Sequence, residues 1–96
     1  MALNSTFGHY TNVPSAATTV IKSTRGALYA IIVNKAIASD TITIYDNTAA
    51  SGTKIATVTF PGTLLANQLT LPYFCQFSTG LTVVTSGNSD ITVIWQ

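Results

Sequence analysis

Apolar and polar side chains alternate along most of this chain, and few architectures accept that pattern. Thr41-Ile42-Thr43-Ile44-Tyr45, Lys54-Ile55-Ala56-Thr57-Val58-Thr59-Phe60 and Asp90-Ile91-Thr92-Val93-Ile94-Trp95 each place one set of side chains on one face and the other set on the opposite face of an extended segment. A helix would scatter these residues around its circumference. The runs are also rich in valine, isoleucine and threonine, whose restricted χ1 suits a pleated surface. Ile42, Ile44, Ile55, Leu81, Val83, Ile91 and Val93 are therefore expected to face a common core.

Turn chemistry separates the runs. Asp46-Asn47-Thr48-Ala49-Ala50-Ser51-Gly52 reads as a hairpin loop, because Asp and Asn close their own backbone and Gly supplies positive φ. Pro61-Gly62, Ser78-Thr79-Gly80 and Ser86-Gly87-Asn88-Ser89 end or divide later runs. Strands are expected near 16–22, 26–34, 40–46, 53–60, 72–78, 80–85 and 90–95, with a further short one at 68–71. Seven to eight short strands so punctuated specify an all-β fold, an antiparallel β-sandwich of jelly-roll-like or Greek-key topology. Gly62–Leu71 is the longest internal connection and is expected to carry the chain between sheets.

Two segments depart from simple alternation. Ala27–Val33 is apolar at all seven positions, as expected of a central strand covered on both faces, one of them by the second sheet's edge or a neighbouring subunit. Residues 1–15, ending past Pro14, show no alternation and read as an extended N-terminal arm; residues 16–96 form the sandwich domain. Phe7, His9 and Tyr10 are the arm residues expected to contact a partner chain.

Charge is scarce. Only 7% of the 96 residues are charged, with Lys22, Arg25, Lys35 and Lys54 against Asp40, Asp46 and Asp90, where an average soluble domain has about 25%. Low charge leaves a surface poorly protected from self-association, and a chain this short gains from association. Homo-oligomerisation is expected. The formal net charge of +1, carried by scattered bases, offers no stripe for a nucleic acid. The longest apolar run is far short of the ~20 residues of a membrane-spanning helix. MALNSTFGHY has neither the basic nor the apolar region of a secretory signal.

Catalytic constellations are hard to assemble from these residues. The one histidine, His9, lies in the arm, whereas a nucleophile–base pair needs a histidine held by the fold. One His and one Cys fall short of a zinc ligand set. Cys75, in Tyr73-Phe74-Cys75-Gln76-Phe77, has no neighbouring base in sequence to lower its pKa and reads as a small hydrophobe. The three aspartates adjoin turns, where they act as caps. Trp95 and Tyr45 would make a sugar platform only if they converged; Trp95 otherwise reads as a core or interface residue. No catalytic residue, cofactor or metal is assigned.

From Arg25 onward, about three quarters of the chain, the sequence resembles small virion structural proteins of tailed bacteriophages, of the capsid-decoration (cement) or head-fibre type. The likeness is carried by Arg25-Gly26-Ala27-Leu28-Tyr29-Ala30-Ile31-Ile32-Val33-Asn34, by Thr41-Ile42-Thr43-Ile44-Tyr45-Asp46 running into Gly52-Thr53-Lys54-Ile55-Ala56, and by Phe77-Ser78-Thr79-Gly80-Leu81-Thr82-Val83-Val84-Thr85-Ser86-Gly87 closing on Asp90-Ile91-Thr92-Val93. The resemblance implies a non-enzymatic sandwich on the virion surface, assembled in the host cytoplasm, that bridges major capsid protein subunits, often as a trimer. A receptor- or carbohydrate-binding module of a tail or fibre is the alternative it implies.

Overall fold

The computed structural model describes residues 8–63 and 69–96. Its eight strands are β1 (His9–Val13), β2 (Ala17–Lys22), β3 (Gly26–Lys35), β4 (Thr41–Tyr45), β5 (Lys54–Thr59), β6 (Leu69–Phe77), β7 (Leu81–Thr85) and β8 (Asp90–Trp95). They form two four-stranded sheets, ordered β1-β8-β3-β6 and β2-β7-β4-β5, in which every pairing is antiparallel. Only β4 and β5 are sequence neighbours within one sheet; every other connection crosses to the opposite sheet. This strand order is that of an eight-stranded jelly roll.

The period-two pattern fills the space between the sheets. Leu28, Ile31, Val33, Ile91 and Val93 from the first sheet meet Ile42, Ile44, Leu81 and Val83 from the second, all buried. Phe77 and Phe60 seal the ends of this core. Each fully buried side chain of this size contributes roughly 1.5–3 kcal/mol. Ile55 packs against this core as expected but is only half-buried. The register passes from Ile44–Ala56 to Tyr45–Lys54, so Ile55 is the extra residue of a β-bulge on an edge strand, where alternation slips by one.

The N-terminal boundary also moves. His9–Val13 is not an arm free of its domain: it pairs with β8 along its full length, from His9–Trp95 to Val13–Ile91. Val13 is buried in the core. Alternation fails to mark β1 because only Val13 of its five residues is a fully buried apolar side chain. The expected short strand at 68–71 is likewise not separate. It is continuous with 72–77 across Pro72, which an edge strand tolerates because one side of its backbone carries no ladder.

Aspartates lock the ends of the sandwich. Ser89 donates its backbone N–H (3.1 Å) and its hydroxyl (2.7 Å) to Asp40 Oδ2, and both residues are buried. Ser89 Oγ in turn accepts from Ile37 N–H at 2.9 Å. At the other end, Asp46 accepts backbone N–H bonds from Ser78 (2.9 and 3.0 Å) and Thr79 (2.9 Å) in the β6–β7 turn. Those bonds, led by Ser78 and Thr79, hold its carboxyl below the ordinary value. Gly52 sits at φ 82° in the β4–β5 loop, as that hairpin requires.

Candidate functional site: the outer face of the first sheet

The two outward faces differ in chemistry. Across the second sheet, Thr18, Val84, Thr43 and Thr57 lie side by side, and much of the threonine content is displayed there. The first sheet presents an apolar row instead. Tyr10 pairs with Ile94, Ile94 with Ala30 and Ala30 with Pro72, one residue from each strand. Directly opposed residues share a face, and neighbours such as Ile31, Val33, Ile91 and Val93 point into the core, so this row points away from it. The adjacent row, Asn12, Thr92, Ile32 and Thr70, is mostly polar.

An aromatic pair lies on this face, Phe74 on the β6 edge and the half-buried Tyr29 on β3. Tyr29 and Phe74 have ring centroids 6.2 Å apart. Phe74 is 77% exposed and Tyr10, at the opposite edge, 76%. Leu28 pairs with Cys75 and Ala30 with Pro72, so Tyr29 faces two residues, Tyr73 and Phe74, across a bulge. Phe74 has φ 48°. A bulky non-glycine residue in the left-handed region costs roughly 1–3 kcal/mol and persists only where its surroundings impose it.

At the far end of the face, polar side chains knit three strands together. Asp90 accepts from Asn12 Nδ2 at 2.7 Å and from Asn34 Nδ2 at 3.1 Å, and Asn34 Nδ2 also reaches Thr92 Oγ1 at 2.9 Å. These bonds, Asn34 foremost, lower the Asp90 pKa, with Lys35 adding to them. The exposed carboxylate is thereby held in its ionised form at this end of the face.

The expected partner-contacting residues do not converge. His9 and Tyr10 are successive strand residues and so project to opposite faces. Tyr10 belongs to the apolar row. The His9 ring lies 4.9 Å from that of Trp95. Phe7 lies outside the described residues. Trp95 is no open platform: His9 is stacked against it, Lys22 Nζ lies 5.8 Å from its ring centroid and its Nε1 donates to Thr11 Oγ1 at 3.0 Å. Tyr45 is on the other sheet. Cys75 is half-buried and packs against the core.

Sequence reasoning missed Phe74, Pro72 and Ala30 as surface residues. The alternation along Leu71-Pro72-Tyr73-Phe74-Cys75, which places Pro72 and Phe74 outward, was the available signal; the bulge opposite Tyr29 and the positive φ of Phe74 are properties of the β3–β6 pairing. A separate groove of about 710 Å³, lined by Lys22, Arg25, Gln76, Ser78 and Gln96 among others, opens at one end of the sandwich. Among the described residues, no three His, Cys, Asp or Glu side chains gather closely enough to hold a metal ion, and each aspartate is engaged in its own set of hydrogen bonds. No family model, curated protein or solved structure matches this chain.

Proposed function

We propose that this protein is a non-enzymatic structural subunit of a bacteriophage virion, which sits on the capsid surface and stabilises it by bridging major capsid protein subunits. The observation that carries the reading is the apolar outer face of the first sheet, where the rings of Tyr10 and Phe74 are exposed and Phe74 holds a positive φ. A surface subunit acts by burying such area on its neighbours. An oligomer, three copies in the arrangement the sequence resemblance implies, touches several capsid subunits at once and gains avidity through effective concentration. A jelly roll serves capsid proteins and lectins alike, so the reading rests on the face and the resemblance, not on the fold.

The test is co-sedimentation of purified protein with empty capsids, followed by heating. Binding that raises the temperature of capsid disruption supports the reading; absence of binding at micromolar protein refutes it. A carbohydrate-recognising tail or fibre module is the second reading. It is favoured by the groove at Lys22 and Arg25, whose flanking amides and hydroxyl suit a polyhydroxylated anionic ligand. Retention on immobilised cell-surface glycans, without capsid binding, would select it.

A further inference from the structure

We infer that the outer face of the first sheet is the surface through which copies of this chain associate, with the β1 edge of one copy set against the β6 edge of the next. This rests on the reading of the chain as a self-associating surface subunit, and adds the face and the orientation.

Size, charge and shape point to a second copy. The strands of this sheet, five, six, ten and nine residues long in the order β1, β8, β3, β6, at about 3.3 Å per residue and about 4.8 Å apart, give a face of about 480 Å² in projection. Side-chain relief raises the accessible area above the projected one, toward the ~800 Å² per partner of a standard stable interface. The face carries a carboxylate, Asp90, at one end, where two asparagines hydrogen-bond it and Lys35 is its partner in register. The row Tyr10, Ile94, Ala30 and Pro72 is itself uncharged, so it meets the same row of a copy without repulsion.

The apolar row is self-complementary. It reads Tyr10, Ile94, Ala30, Pro72 from edge to edge. A twofold axis running along the strands reverses the row between copies. The Tyr10 ring then meets Pro72 and, beside it, the exposed Phe74 ring, while Ile94 lies over the smaller Ala30. Three copies about a threefold axis would also set each β1 edge beside the next β6 edge, without laying the rows over one another. In the twofold arrangement the strained Phe74 becomes an aromatic anchor at the contact, which explains why a glycine does not occupy φ 48°.

The test uses the full chain with Cys75→Ser to remove the native thiol. Tyr10→Cys and Pro72→Cys lie three strand spacings apart within one copy, about 14 Å, beyond the ~7 Å limit of a disulfide. Mild oxidation of the double variant, or of the two single variants mixed, is expected to link separate copies, and the size of the closed product counts them. Phe74→Gly should fold with a thermal midpoint like that of wild type, because glycine accepts this φ, yet associate at least about tenfold more weakly in sedimentation equilibrium. If wild type associates but the cysteines do not link and Phe74→Gly associates normally, the face is wrong and the self-associating reading stands. Monomeric wild type at all concentrations up to hundreds of micromolar would overturn both.

Discussion

Gly87→Ala tests whether the buried Asp40–Ser89 lock holds the sandwich closed. Gly87 is not among the residues at positive φ, so alanine is conformationally acceptable there; the obstacle is space. A methyl group at this position would lie 2.5 Å from Asp40 Cγ and 2.6 Å from Oδ2, and closer still to Oδ1. Ordinary contact for a carbon is about 3.5 Å or more, so the carboxylate must retreat by about 1 Å. Ser89 then loses its hydroxyl bond at 2.7 Å and its backbone bond at 3.1 Å to Asp40. Each bond to a charged acceptor is worth roughly 1.5–3 kcal/mol, and a buried charge deprived of its partners costs about 3–5 kcal/mol in all. A chain of 96 residues has a total stability of about 5–14 kcal/mol, so the loss is a large fraction of it. Urea unfolding followed by fluorescence of the single tryptophan, Trp95, measures it. The decisive comparison is the double variant. With Asp40→Ala in the background the methyl group has room, and Gly87→Ala should become neutral or stabilise by about 0.4–1 kcal/mol through the unfolded chain. A cost below about 1 kcal/mol in the wild-type background, or an equal cost in both backgrounds, would refute the reasoning.

Ile44→Ala removes a fully buried side chain from between the sheets and should cost about 2–5 kcal/mol in the same urea assay. Asp46→Asn should lower stability at neutral pH by about 1 kcal/mol, a hydrogen-bond value reduced for an exposed site. Because the folded-state pKa of Asp46 is depressed, its contribution is present above the unfolded value of about 3.9 and is lost as pH falls through the folded value. Wild type and Asp46→Asn should therefore converge, in thermal melts across pH, as pH falls through the depressed folded-state value of Asp46. Deleting residues 1–13 removes β1 and the buried Val13; the isolated domain should be clearly destabilised in thermal unfolding. An unchanged midpoint would restore the first segment to the status of a dispensable arm.

Much of this fold was legible in the sequence because one face of every long strand is buried. Ile42 and Ile44, or Ile91 and Val93, are two residues apart and land in the core; no other backbone geometry puts both there. Turn residues supplied the breaks, and the loop from Asp46 to Gly52 is the hairpin its composition demands. β1 escaped detection because an edge strand is specified by its partner: five residues with a single fully buried apolar side chain carry no periodic signal, and β8 supplies the order.

The candidate site was less legible. Tyr10 drew attention as an aromatic residue, but nothing local says that Tyr10, Ile94, Ala30 and Pro72, spread over most of the chain, form one row. By itself the sequence determined the all-β class, the core residues of the long strands and the scarcity of charge, since each follows from local chemistry. Only the tertiary structure decided the strand order, the β3–β6 mismatch with its positive φ at Phe74 and the contrast between a threonine face and an apolar one. Those depend on which strands lie side by side, and pairing between distant segments is set by the packing of the whole sandwich.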